Sequence, residues 1–382
     1  MVNILKRKKV IIILCILFVL IIFMLSGLNW LKNQPIETLL KWIHIDYVEE
    51  EVYSYNFHYR PEDKEKIEHL KMMIPELTKL SEDFFGDRHF LEQDLTIYLI
   101  NKQDEPNPLL SGTGVYTSDN IMLLKSDTSD SQSLQNAFAH EMAHFYLHNT
   151  ASQLGLGEGD LPDWYHEGFA ELFAFRIARP LHLHKGVEYN VIPLNDIQRE
   201  NEGYYSGTYL YMHYVAEYLL HKFNKDIFLD LMLTTKEKND FETAFIDLTN
   251  IELETAHLLF QEDWEFINEI EELLKVEKEI EAEQKILAYF KERGPYFYES
   301  PYIYQLLAGI YLKQERFEEA LEMIERRLEF NDNPTIYFQA AEIAYNIDKA
   351  KAIEFAEQAV ESAKRTDWDS QMFEDWLDEK NK

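Results

Sequence analysis

Two histidines four residues apart, with a glutamate directly after the first, make His140-Glu141-Met142-Ala143-His144 the stretch of this sequence best equipped for chemistry. On a helix the two imidazoles return to nearly one face, separated by about 6 Å along the axis, so both can reach a single cation. A further acid follows in Trp164-Tyr165-His166-Glu167-Gly168-Phe169-Ala170-Glu171. Two imidazoles and the Glu167 carboxylate would fill three places around a tetrahedral ion and leave the fourth for water, as a catalytic site requires. Glu171, one turn after Glu167, is placed to accept a hydrogen bond from the outer nitrogen of a ligand histidine. The other histidines of this region, His148, His166, His182 and His184, are expected to be non-ligands with surface or packing roles.

These side chains need two helices brought side by side. Ser131 or Ser133 can cap the first, which is expected to run through about Leu147 before Asn149, Gly155 and Gly157 break it. The second should begin near Pro162, a residue at home in a first turn. Upstream, Val52 to Tyr59 alternates like a half-buried strand, and apolar residues recur at helical spacing from Pro61 to about Phe85. Leu95 to Ile100 reads as another strand, and Val115 to Leu124 as an extended piece turning at Ser118-Asp119-Asn120. The expected order is strand, helix, strand, hairpin. Downstream come a helix over Ser206 to Phe223 and a polar helical stretch to about Ile280.

The C-terminal part repeats with a period of about 34 residues. Tyr304, Leu307, Ala308, Tyr311, Ala320, Ile324 and Pro334 fall near the positions of a tetratricopeptide repeat. Phe338, Ala341, Tyr345, Ala352, Ala356 and Ala359 follow the same pattern with a shorter turn. A generic helical bundle is the alternative. Such repeats offer a surface for a protein partner without naming it.

Composition sets the surroundings. The chain has 382 residues, with 37 basic against 69 acidic and a net charge of −32, which repels phosphate backbones and speaks against nucleic-acid binding. Lys6, Arg7, Lys8 and Lys9 precede an uncharged apolar run from Val10 to Leu31, long enough as a helix to cross a hydrocarbon core of about 30 Å. The basic cluster should stay in the cytoplasm and the rest of the chain face outward. An uncleaved anchor is favoured over a cleaved signal peptide, because the run is long and no small-x-small cleavage site follows it. The single cysteine, Cys15, lies inside that run, so the exported part has no disulfide framework.

The two segments around His140 and Glu167 resemble those of gluzincin metallopeptidases, and among them the peptidase MA-like domains of bacterial exported proteins. In that group a HExxH helix is followed by P-x-W-x-x-EG-x-A-E, matched here from Pro162 to Glu171. Weaker similarity extends through Tyr205 to Leu219 and FETAFIDLTNIELETAHLLFQEDW, so the resemblance covers about residues 50–268. One departure is Asn250, where the family carries glycine before Ile-Glu-Leu; asparagine also tolerates a left-handed turn. The resemblance implies a Zn2+ ion held by His140, His144 and Glu167, with Glu141 as general base. It also implies a donor for the oxyanion, for which Tyr205 is the candidate and Tyr204 and Tyr209 are rivals. Gly114 to Thr117 would be the sheet edge beside the cleft, where a peptide adds as an antiparallel strand.

The expectation is therefore an α+β zincin-like metallopeptidase domain over residues 49–270 and an all-α tetratricopeptide-like helical repeat domain over 271–382. A cytoplasmic basic segment (1–9), one transmembrane helix in the lipid bilayer (10–31) and a linker (32–48) precede them. The expected activity is peptide-bond hydrolysis of a peptide or protein substrate at the outer face of the cell membrane. The alternative is a membrane-tethered interaction scaffold whose zinc domain is structural or inactive and whose repeats carry the function.

Overall fold

The computed structural model describes residues 47–380 apart from 89, 102–112, 118, 128–130, 158, 179–192, 195–196, 198–205, 295–299, 331–332 and 366–368. The span expected at 10–31, the linker up to residue 46, and Tyr204, Tyr205, His182 and His184 lie outside the described residues. None of the described helices is long and apolar enough to cross a membrane.

The protein is mostly helical with a small five-stranded sheet. Along the chain come β1 (Val48–Val52), β2 (Tyr55–Tyr59), α1 (Lys64–Phe85), β3 (Leu95–Ile100), β4 (Gly114–Thr117) and β5 (Ile121–Lys125). The described helices that follow are α2 (Ser131–Leu154), α3 (Asp163–Ala178), α4 (Ser206–Phe223), α5 (Ile227–Lys238), α6 (Phe241–Thr249), α7 (Leu253–Lys275), α8 (Glu279–Arg293), α9 (Ser300–Lys313), α10 (Phe317–Leu328), α11 (Pro334–Ala344), α12 (Lys349–Arg365) and α13 (Gln371–Lys380). In the sheet order β1-β2-β3-β5-β4 the three central strands run parallel and each outer strand is antiparallel to its neighbour, so β4 is an edge. Alternate residues point to opposite faces. Tyr55, Phe57, Leu95, Ile97, Leu99, Met122 and Leu124 join the main core, while Ile100, Ile121 and Leu123 gather with Tyr98 in a small separate cluster.

Two expected boundaries need correction. The stretch read as one strand from Val52 to Tyr59 is a hairpin, in which Val52 pairs with Tyr55 and Tyr53 takes a φ of 58°. Tyrosine is an uncommon left-handed residue, so the usual Asn or Gly turn signature was missing. The other correction is the end of α2. Asn149 does not break the helix: its Nδ2 donates to the Phe145 carbonyl one turn back at 2.8 Å. The stop comes at Gly155, whose φ of 79° suits a residue without a Cβ. The polar stretch expected to reach Ile280 divides into α5, α6 and α7. Asn239 and Asn250 close the first two at φ 55° and 56°, so Asn250 makes the left-handed turn anticipated for it.

Helix α2 is apolar almost all round because it is enclosed: it packs against α1, α3, β4 and β5. Phe138, Met142, Phe145 and Tyr146 are each fully buried, leaving one narrow face for the polar pair His140 and His144. Helix α3 has its rotation fixed by aromatics. The Trp164 ring meets Phe241 and Phe245 edge-on at 5.7 and 5.8 Å, and Tyr165 donates from its hydroxyl to the Phe228 carbonyl at 2.6 Å. Edge-on pairs of this kind contribute about 0.5–1.5 kcal/mol each beyond their buried area. With Trp164 and Tyr165 locked into that layer, Glu167 faces α2.

Helix α7 runs unbroken through residues 270 and 271, where the two domains were expected to part. Asp263, 1% exposed, is clasped there by the Tyr289 hydroxyl and by Arg293 Nη2 at 2.8 Å, both from α8. Beyond it, α9 opens at Ser300 and α11 at Pro334, 34 residues later, each followed by a helix packed against it.

Gly168 sets the approach of α3 to α4, because a Cβ there would stand 2.6 Å from the Met212 carbonyl oxygen. Overpacking of this kind costs about 1–3 kcal/mol. Gly168→Ala should therefore lower the free energy of unfolding by that order in a urea titration, with metal affinity falling as α3 is displaced.

Candidate metal centre

The structure brings His140, His144 and Glu167 together. His140 Nε2 and His144 Nε2 lie 3.1 Å apart, and Glu167 Oε2 stands 3.3 Å from the first and 3.5 Å from the second. It is the one group of three side chains among the described residues that could hold a metal ion. Zinc binds nitrogen and oxygen at about 2.0–2.1 Å, and tetrahedral angles then space neighbouring ligand atoms about 3.3–3.4 Å apart, which the triangle matches.

Hydrogen bonding alone does not account for this arrangement. His140 Nδ1 lies 3.1 Å from Glu171 Oε1, and donating there leaves Nε2 of the neutral ring as a lone pair. Glu167 Oε2 is buried without a hydrogen-bond partner, while His140 Nε2 and His144 Nε2 stand within hydrogen-bond distance of each other. A cation shared by the three atoms would satisfy that carboxylate oxygen. The donor set of two imidazoles and one carboxylate is the kind that zinc takes in catalytic sites. Burial works against the charge of Glu167, yet the neighbouring His144 and His140 outweigh it and hold its carboxyl well below the usual range. For His140 burial favours the neutral ring, but Glu167 and Glu171 prevail and raise its pKa.

Glu141 is 7% exposed and lies against β4. A Cβ on Gly114 would meet its Cγ at 2.8 Å and its Oε1 at 2.9 Å, so glycine lets the strand backbone close over the acid. The backbone amide of Tyr116 also hydrogen-bonds the Glu141 carboxylate. Burial raises the Glu141 pKa, opposed by the charges of His140 and His144 and by that amide. It is thus a carboxylate held in place beside the triad and made more basic by its surroundings.

Tyr205, expected to stabilise an oxyanion, lies outside the described residues. Its rival Tyr209 is described: its ring centroid is 6.2 Å from that of His140, edge-on. His148 and His166 stand apart from the triad. His148 Nδ1 is 3.2 Å from the Tyr116 hydroxyl, and burial lowers the His166 pKa to about 4, so that ring is neutral. The contributions of Gly114 and the Tyr116 amide were not legible beforehand, because backbone atoms carry no residue-type signal. Glu217 on α4 was also overlooked. It is 5% exposed, and burial pushes its carboxyl up to about 7 with Arg176 opposing.

No family model matches the chain. A Bacillus subtilis (strain 168) protein, described as uncharacterized protein YhcO, is 26% identical over 158 residues, which is 40% of this chain and 48% of that protein. The chain thus spans about half the length of the relative it matches, and the description assigns that relative no activity.

Two measurements test the site. Glu171→Gln should weaken zinc binding about 10–100-fold in a chelator competition, because the amide no longer holds the imidazole as a carboxylate does. His144→Ala should abolish stoichiometric uptake. Glu217 gives a pH signature of its own. Its folded pKa lies above the ordinary 4.5, so its contribution is fully present at low pH and is lost as pH rises towards about 7. Compared with Glu217→Gln, the unsubstituted chain should lose about 3 kcal/mol of stability over that window, read as a difference between two urea-unfolding series.

Proposed function

We propose that this protein is a zinc metallohydrolase, a peptidase of the gluzincin kind, held at the outer face of a cell membrane by the apolar run at 10–31. The observation that carries the reading is the convergence of His140 Nε2, His144 Nε2 and Glu167 Oε2 within 3.1–3.5 Å of one another, with the buried carboxylate of Glu141 alongside. A zinc ion in this grip would supply Lewis acidity towards a carbonyl and acidify water.

The chain's own residues supply the rest. Glu141 takes the proton of the attacking water on its carboxylate and returns it to the nitrogen of the departing amine, so one side chain serves both halves of the reaction. Gly114 and the Tyr116 amide keep that carboxylate in place. Glu171 keeps the His140 ring oriented through Nδ1. Tyr209, beside His140, is the described candidate to donate to a developing oxyanion, with Tyr205 the other. Strand β4 ends the sheet, so an extended peptide can pair with it antiparallel and lay its carbonyl by the triad. The paired helices α9–α10 and α11–α12, read as tetratricopeptide-like repeats, would recruit a protein partner or present substrate.

The competing reading, a tethered scaffold acting through its repeats, has no use for a buried base beside the triad. Glu141→Gln separates the two. A hydrolase keeps its zinc but loses about 10²–10⁴-fold in cleavage of a peptide library. A scaffold loses no function. Cleavage by the unsubstituted chain should also stop with a chelator and return with added zinc.

A further inference from the structure

His148 stands apart from the triad but belongs to a second contact, between α2 and the edge strand. Glu141, Phe145 and His148 follow one another at helical spacing along α2, and Tyr116 of β4 meets all three. Its backbone amide hydrogen-bonds the Glu141 carboxylate, its ring lies edge-on to Phe145 with 6.1 Å between centroids, and its hydroxyl stands 3.2 Å from His148 Nδ1. The same hydroxyl donates to Asn120 Oδ1 at 2.8 Å.

A phenol has one proton to give. With that proton on Asn120, the Tyr116 hydroxyl accepts from the imidazole, so His148 carries its own proton on Nδ1. Asn120 is itself fixed. It sits at φ 55°, its amide donates to the Thr117 carbonyl at 3.1 Å, and its carbonyl accepts from the Thr96 amide of β3 at 2.9 Å. The phenol is therefore held from two sides, by α2 and by the turn that joins β4 to β5. Phenylalanine at position 116 would keep the ring contact with Phe145, so packing alone does not call for the hydroxyl.

The register explains why the Tyr116 amide is available. The Lys125 amide donates to the Thr113 carbonyl at 2.9 Å, and opposed pairs in an antiparallel ladder alternate between bonded and non-bonded. Gly114 and Tyr116 fall on the non-bonded positions, which turns their N–H groups away from β5. At Gly114 the strand comes so close that a Cβ would stand 2.9 Å from Glu141 Oε1. Because β4 is paired along one side only, a tie to α2 is what keeps its backbone at that distance.

We propose that His148 and Asn120 are positioning residues for Glu141, acting through the Tyr116 hydroxyl, which pins β4 against α2 so that the Tyr116 amide meets the carboxylate. This rests on the reading of Glu141 as the general base.

Amide hydrogen exchange in the full chain reads the residue-116 N–H without substrate, and peptide cleavage reads the consequence. Tyr116→Phe and His148→Ala should each speed that exchange about tenfold, and the two together no more than either, because both remove one tie. His148→Asn should stay within about twofold of the unsubstituted chain, since the asparagine Nδ2 offers an N–H where the imidazole Nδ1 did. In cleavage, Tyr116→Phe and His148→Ala should lower kcat about tenfold with KM and zinc content unchanged. Tyr116→Phe removes a single oxygen atom and carries the test alone if His148→Ala fails to fold. Unchanged exchange in Tyr116→Phe, exchange in His148→Asn as fast as in His148→Ala, or faster exchange with kcat unchanged each overturns the proposal and leaves the hydrolase reading standing. If the unsubstituted chain binds zinc but cleaves nothing, the reading of Glu141 as base falls and the proposal with it.

Discussion

Three polar atoms, Glu167 Oε2, His140 Nε2 and His144 Nε2, are crowded within 3.1–3.5 Å of one another, and Glu167 Oε2 is buried without a hydrogen-bond partner. Such a contact survives only where a positive charge relieves it and the surrounding fold prevents the groups from turning away. Much of the molecule can be understood as that second condition. The enclosed α2 cannot roll, the aromatic layer around Trp164 and Tyr165 fixes α3 about its axis, and Gly168 lets α4 press behind it. Stability is spent here on geometry: interior positions that apolar residues would fill at less cost hold glutamates and histidines instead.

The edge strand adds a different kind of control. Glu141 is held by a missing Cβ at Gly114 and an amide at Tyr116, both of them backbone features. Anything that paired with the outer side of β4 would lie one strand's width, about 4.8 Å, from the backbone that holds the Glu141 carboxylate. The edge of the described sheet and the support of Glu141 thus fall in one short segment of chain.

The residues of the site were legible because side-chain chemistry and helical periodicity together leave few readings: His140, His144 and Glu167 meet as their spacing implied. Helices α3 and α4 were found near their true ends for the same reason. Elements defined by backbone conformation were harder. The β1–β2 turn rests on Tyr53 at φ 58°, a residue that does not announce a turn, and Asn149 resembled a breaker until its side chain was seen bonded one turn back. Glu217 was missed for another reason. A glutamate within a helical pattern is ordinarily a solvent-facing residue, and only the three-dimensional packing of α4 shows that this one is enclosed.

Helix α7 belongs to both halves of the molecule. Phe260 lies against Tyr211 and Tyr218 of α4, while Phe266 stacks on Tyr289 of α8 less than two turns later. One continuous helix thus packs on α4 through Phe260 and on α8 through Phe266. Trimming the chain at residue 270 would bare the apolar flank of that helix and unpin Asp263 from Arg293. The C-terminal helices are consequently joined to the sheet-bearing half as by a bracket, through a shared helix and not a loop.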